Sequence, residues 1–149
     1  MESKARILVI DDDETITAVF RAGLRQEGYI VDVASTGKEA IEKSKNQLYN
    51  LALIDIRLPD MEGTKLLAEM QETIPKMRKI IVTGYPDLQN AIASVQKGAD
   101  FYITKPTKLD ELTKVVEEQL KKQQEEKMYG EKKVAEYLET RLREHPLKS

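Results

Sequence analysis

The 149-residue chain contains no cysteine. That removes any disulfide framework and leaves the protein compatible with a reducing compartment. It has one histidine, His145, so a metal site or catalytic triad built on histidines is excluded. Long hydrophobic runs are missing too. The opening MESKAR leads into a short apolar stretch that suits neither a signal peptide nor a membrane-spanning helix, and a cytoplasmic location is the expectation. Neither sign of charge dominates. Lys and Arg number 24 against 26 Asp and Glu, a net charge of −2, so no strong field draws the chain to nucleic acid or to a membrane. No internal repeat or low-complexity segment interrupts it. Apolar residues make up 40% and charged residues 34%, which places the chain among globular proteins with one proper core and room for an appendage.

Short apolar runs alternate with longer helical patterns. RILVI (6–10) reads as a buried strand. Ile16, Val19, Phe20 and Leu24 follow at helical spacing up to Gly28. YIVDVA (29–34) alternates like a half-buried strand, and Thr36-Gly37 turns into a helix over 38–46. LALI (51–54) is a second wholly apolar strand, followed by the loop LPDMEG (58–63) and a helix with Leu66, Leu67 and Met70. KIIVT (79–83) is the fourth strand. Pro86 and Asp87 open a helix expected to turn Ile92 and Val95 inward. ADFYIT (99–104) is the fifth strand, and a last helix starts near Lys108 with Leu112, Val116 and Leu120 facing inward. Five strand–helix units, with the first, third and fourth strands apolar throughout, imply a doubly wound parallel sheet with helices on both faces.

In such a sheet, ligands collect at the carboxyl ends of the strands. Those ends carry Asp11, Asp12 and Asp13, then Asp55, Thr83 and Lys105. Adjacent buried carboxylates repel one another, so the acids call for positive charge. They suit a hard divalent cation such as Mg²⁺; the hydroxyl and the amine suit the oxygens of a phosphoryl group. Each residue alone has a blander use. One aspartate, most naturally Asp13, can cap the following helix; Asp55 can belong to a turn, Thr83 can close a strand, and Lys105 can be a surface lysine. Four strand ends suited to one task outweigh those separate explanations.

ILVIDDDE, LALIDIRLPDMEG, IIVTGYPD and GADFYITKP, in this order and spacing, resemble the receiver domain of two-component response regulators over about residues 4–122. The resemblance implies a flavodoxin-like five-stranded sheet of order 2-1-3-4-5 and a Mg²⁺-dependent phosphoacceptor. Asp55 would accept a phosphoryl group from a sensor histidine kinase or a phosphotransfer protein. Asp12, Asp55 and the backbone carbonyl of Arg57 would ligate the cation, with Asp11 acting through water. Thr83 and Lys105 would contact the phosphoryl oxygens, and Tyr102 would be the aromatic switch coupled to Thr83. Arg57 and Tyr85 stand where the family tunes phosphoryl lifetime, and Gly84 leaves the site open. Thr107 stands where many relatives have Phe. Such a protein turns over no separate metabolite, and signals by contact with a downstream protein through the face of Tyr102 and the fourth and fifth helices.

Asp11-x-Asp13-x-Thr15 after an apolar run also resembles the nucleophile motif of haloacid-dehalogenase-type phosphatases. That alternative makes Asp11 the nucleophile and Asp13 the acid/base. It leaves Asp55 without a task and lacks the acidic pair at a strand end that such enzymes need, since Asp110-Glu111 open a helix.

Residues 1–122 are expected to form the receiver and 123–149 a helical extension. The extension carries six acidic and six basic residues, which suits no helix-turn-helix and no direct nucleic-acid binding. Met128 would prolong the inward line and Gly130 would break or bend the helix. Val134, Tyr137, Leu138 and Leu142 would form a second apolar stripe, packed on a second copy of the chain or on a partner.

Overall fold

The computed structural model describes residues 4–70, 73 and 76–146. Its elements run β1 (Arg6–Ile10), α1 (Glu14–Gln26), β2 (Ile30–Ala34), α2 (Gly37–Asn46), β3 (Leu51–Ile54), α3 (Gly63–Glu69), β4 (Arg78–Thr83), α4 (Leu88–Gln96), β5 (Phe101–Thr104) and α5 (Leu109–Glu144). The five strands form one parallel sheet in the order β2-β1-β3-β4-β5. This is the flavodoxin-like order expected from the sequence.

The period of two along each strand divides the core. Leu8, Ile10, Ala52, Ile54 and Ile81 face one side, with Ala40 of α2 and Leu66 and Leu67 of α3. Ile7, Val9, Leu51, Leu53, Ile80 and Val82 face the other, with Phe20 and Leu24 of α1 and Leu112 and Val116 of α5. Both faces of the central strands are therefore covered, which is why those strands show no apolar–polar alternation. The helix starts are locally encoded. Asp13 accepts from the amides of Thr15 and Ile16 and caps α1. Thr36 accepts from Glu39 N–H while the Glu39 carboxylate accepts from Ser35 N–H, a reciprocal cap on α2. Gly28 follows α1 at φ 98, a conformation that costs other residues more.

Four expectations from the sequence fail. Ile92 and Val95 point outward, 50% and 66% exposed, while Ser94 is the buried residue of α4. Val19 is half exposed on α1. Gly130 neither breaks nor bends α5 into two helices: the helix runs without interruption for 36 residues. A glycine inside a helix costs only about 1 kcal/mol relative to alanine, and Lys127, Met128, Glu131, Lys132 and Lys133 around it are good helix formers. Met128 does not extend the inward line and is 60% exposed. The packed part of α5 instead continues through Gln119 and Gln123, both buried. The Gln123 amide donates to the carbonyls of Asn50 (2.9 Å) and Lys76 (2.7 Å). Beyond Gln123 every described residue of the helix is exposed.

Candidate functional site

Strand register brings the predicted residues together. Ile10 pairs with Ile54 across β1 and β3, so Asp11 and Asp55 leave the sheet side by side. Thr83 pairs with Thr104 across β4 and β5, which sets Lys105 next to Thr83. Asp11 and Asp55 are buried and Asp12 is exposed. One carboxylate oxygen from each of Asp11, Asp12 and Asp55 lies within 4.8 Å of the others. The Lys105 ammonium donates to Asp11 Oδ2 at 2.6 Å and to Asp55 Oδ2 at 3.3 Å. Asp55 Oδ1 accepts from the Arg57 amide at 3.3 Å. The residues meet across 94 and 50 positions of sequence, and only the topology joins them.

The electrostatics are uneven. Burial, followed by the charge of Asp11, raises the Asp55 pKa above the usual carboxylate value, against the opposing pull of Lys105 and the Arg57 amide. Burial works against the Lys105 ammonium, yet the hydrogen bond and charge of Asp11, joined by Asp55, outweigh it and hold its pKa above the usual lysine value. Three carboxylates against one bound lysine leave an excess of negative charge, and their hard oxygens fit a divalent cation.

Asp13 stands apart from this cluster. Its carboxylate is spent on the α1 cap, while its own N–H donates to Asp11 Oδ1 at 2.9 Å. An acid/base partner for Asp11 is not what its geometry offers. Thr83 is fully buried and its hydroxyl oxygen accepts from Tyr85 N–H at 3.1 Å. Tyr102 packs its ring against the core cluster of Ile10, Ile54 and Ile81, and its buried hydroxyl has no hydrogen-bond partner among the described residues. A β-carbon added at Gly84 would lie 3.9 Å from the Lys105 side chain, an ordinary van der Waals contact.

Two features lie beyond what residue spacing revealed. The Arg57 guanidinium stacks on the Tyr85 ring, 4.0 Å from its centroid, and ties the β3–α3 loop to the β4–α4 loop. Asp60 accepts from the amides of Gly37 and Lys38, both at 2.9 Å, so the loop after Asp55 is anchored on the start of α2. Those amide bonds hold the Asp60 pKa below the usual carboxylate value. Gly63 closes the same loop against the strand: a β-carbon there would sit 2.4 Å from the Asp55 carbonyl oxygen. The Leu58-Pro59-Asp60 turn signal was visible in the sequence; its distant anchor was not.

Residues 7–117 match the family described as the response regulator receiver domain. Among curated proteins, the alginate biosynthesis transcriptional regulatory protein AlgB of Pseudomonas aeruginosa is 36% identical over 123 residues, 83% of this chain and 27% of that protein. The transcriptional regulatory protein ZraR of Escherichia coli K12 is 34% identical over 114 residues, 76% of this chain and 26% of that protein. The chain thus spans about a quarter of the length of these relatives. Among solved structures, a CheY-like response regulator receiver domain protein from Methanospirillum hungatei JF-1 aligns with TM-score 0.80 and 45% identity, over 83% of this chain and 99% of that one.

Proposed function

The chain belongs to the response regulator receiver family, and from that premise we propose that Asp55 takes a phosphoryl group from a histidine kinase or a phosphotransfer protein. The observation that carries this reading is Lys105 bridging Asp11 and Asp55, with Asp12 alongside, at the carboxyl edge of the sheet. An Asp55 oxygen attacks phosphorus, the bond from phosphorus to the donor breaks, and its electron pair leaves with the donor. An acyl phosphate remains on Asp55. A carboxylate is a weak nucleophile and the incoming group is anionic, so the work is positioning and charge compensation. Lys105 stands ready to supply one positive charge to the phosphoryl oxygens. Asp11, through water, and Asp12, Asp55 and the Arg57 carbonyl would hold Mg²⁺, which supplies further positive charge when bound.

Thr83 and Tyr102 serve as the switch. A phosphoryl oxygen offers the Thr83 hydroxyl a new acceptor, and its movement favours the inward place of the Tyr102 ring. The output surface is α4 with β5, where Leu88, Ile92, Val95 and Phe101 are all exposed. An apolar patch of this kind fits a downstream protein. We assign residues 1–122 to the receiver and 123–149 to a helical extension that binds no nucleic acid directly. Among the described residues no helix is long and apolar enough to cross a membrane; cytoplasmic residence belongs to the proposal. So does the absence of an enzymatic role on a separate substrate. The Arg57–Tyr85 stack holds two long side chains beside the site, which supports their role in slowing hydrolysis by displacing the attacking water.

The test is intact-mass spectrometry with acetyl phosphate and Mg²⁺. Wild type gains one phosphoryl mass, Asp55→Asn gains none, and Asp11→Asn gains it slowly. After the donor is removed, Arg57→Asn with Tyr85→Ser loses the mass faster than wild type. An adduct that survives Asp55→Asn but disappears with Asp11→Asn sinks the reading.

A further inference from the structure

The sheet sets Asp11 and Asp55 directly. The Asp11 amide donates to the Ala34 carbonyl at 3.1 Å and the Asp55 amide to the Ile10 carbonyl at 3.0 Å, so both acids continue the strand ladder. The loop after Asp55 leaves the sheet and needs other holds. Its own bonds fix its form. Leu58 N–H donates to the Met61 carbonyl at 3.1 Å, Gly63 N–H donates to the Ile56 carbonyl at 2.6 Å, and Arg57 bridges Glu62 in antiparallel fashion. Two contacts with the start of α2 fix its placement. Asp60 Oδ1 accepts from Gly37 N–H and Asp60 Oδ2 from Lys38 N–H, both at 2.9 Å. Met61 lies over Gly37, where a β-carbon would sit 2.4 Å from Met61 Sδ. The footing is itself held: Thr36 and Glu39 cap α2 reciprocally. Segment 34–38 therefore holds Asp11 through the Ala34 carbonyl at one end and the loop through two amides at the other.

We infer that Asp60 is a positioning residue for the cation: it anchors the loop on the segment that also holds Asp11, and so steadies the main chain that presents the Arg57 carbonyl. The inference rests on the reading of Asp12, Asp55 and the Arg57 carbonyl as the Mg²⁺ ligands. Mg²⁺ tolerates little departure from octahedral geometry. A carboxylate can adjust about its own side-chain torsions, whereas a backbone carbonyl moves only with its loop. The carbonyl is thus the ligand whose placement most needs an anchor. Asp60 suits that task. Two charge-assisted bonds to adjacent amides fix the carboxylate in position and in plane, and the start of a helix favours an anion there. Asp60 is not a member of the acidic cluster; it acts on the cation through the main chain. The Arg57 side chain is held separately, by its stack on Tyr85.

Backbone-amide NMR of the unphosphorylated full chain, titrated with magnesium chloride, tests this, because one spectrum reports both the fold and the Kd. Asp60→Ala should keep the spectrum of a folded domain and bind Mg²⁺ about tenfold more weakly, as loss of a ligand's support does in other metal sites. The Arg57 amide, which donates to Asp55 Oδ1, should already be shifted before Mg²⁺ is added. Charge and anchoring are separated at Lys38, the second residue of α2. Lys38→Pro removes the donor to Asp60 Oδ2 at a helix position that tolerates proline, and it also removes a positive charge. Charge alone would tighten cation binding; loss of the anchor should weaken it about threefold, half the Asp60→Ala effect in free energy. Lys38→Gln removes the charge and keeps the amide, and should bind no more weakly than wild type. Lys38→Pro at or above wild-type affinity overturns the inference, whether or not Asp60→Ala folds. Asp60→Ala at wild-type affinity also overturns it and leaves the cation site standing. A wild type that binds no Mg²⁺ removes the site itself and the inference with it.

Discussion

The two ends of the sheet hold comparable sets of charge and treat them oppositely. At the amino ends of the strands the charges close on one another. Arg6 meets Asp32 at 3.3 Å, and the Tyr49 hydroxyl donates to the same carboxylate at 2.7 Å. Arg78 meets Asp100 at 3.2 Å and Glu126 at 2.5 Å, while Asp100 also accepts from Lys79 N–H. At the carboxyl ends three carboxylates gather around one lysine, which bonds Asp11 and Asp55 and leaves Asp12 to solvent. A closed network serves stability, because each desolvated charge has its partner. An open one is a standing cost that a fold keeps only where something else completes it. The same chemical change should then act with opposite sign at the two ends.

The largest effect is expected at the closed end. Arg78→Ala leaves Asp100, whose side chain is 17% exposed, with the Lys79 amide as its remaining donor among the described residues of this network. Breaking a buried pair by removing one member costs about 3 kcal/mol, and Glu126, 66% exposed at its side chain, adds little to that. Urea unfolding should show the loss with phosphorylation of the surviving folded protein unchanged. A loss below about 1 kcal/mol would mean that this end is not closed in the sense argued.

At the open end, removing a charge should stabilise. Asp55→Asn relieves the repulsion with Asp11 and the burial of a charge, so in metal-free buffer at pH 7 a gain of about 1 kcal/mol is expected. The sign with pH follows from the raised pKa of Asp55. Between the ordinary carboxylate value of about 3.9 and the raised value, the folded chain binds a proton more readily than the unfolded one. The wild type therefore sheds this cost as pH falls through the folded pKa, and its difference from Asp55→Asn narrows. Mg²⁺ should narrow it too, from the neutral side, by stabilising the wild type. Chemical denaturation with and without Mg²⁺ from pH 7 to pH 4 tests both trends. A variant less stable than wild type in metal-free buffer would show that Lys105 already balances the site.

The contrast also explains what was legible in the sequence. Strand ends were, because a continuous apolar run that stops at Asp11, Asp55 or Thr83 marks both the end of a strand and the edge where ligands collect. The α1 cap was, since Asp13 bonds amides two and three residues away. The fold order followed from the family motifs. The inner face of α4 was not, because its small residues, Ser94 with Ala91, pack inward and its large apolar ones face solvent, against the rule that apolar residues point inward. Gln123 was not either. It looks like part of the polar run KKQQEEK, yet its amide covers two strand-edge carbonyls, a role set by tertiary position alone. The Arg57–Tyr85 stack joins two residues that spacing singled out separately and could not pair.

The smallest effect compares one kind of defect in two settings. Two buried polar atoms lack partners among the described residues: the Tyr102 hydroxyl and Gln119 Oε1. Gln119 lies on the seating face of α5, away from the site, and Gln119→Met should stabilise by about 1 kcal/mol without touching phosphorylation. Tyr102 lies beside Ile81 across the β4–β5 ladder, two residues before Thr104, the ladder partner of Thr83. Its inward ring carries a hydroxyl that burial penalises, so the hydroxyl biases the ring outward. Tyr102→Phe removes the penalty and leaves the packing. If inward placement goes with the phosphorylation-competent state, the variant populates that state more. A bias of up to about 1 kcal/mol corresponds to at most about fivefold. The measurement is the initial rate at which the phosphorylated mass accumulates from acetyl phosphate, for Tyr102→Phe and Gln119→Met against wild type. A rate raised in the first and unchanged in the second separates a strained switch from a strained core. Equal rates in all three would place the Tyr102 hydroxyl with Gln119, as a packing flaw and nothing more.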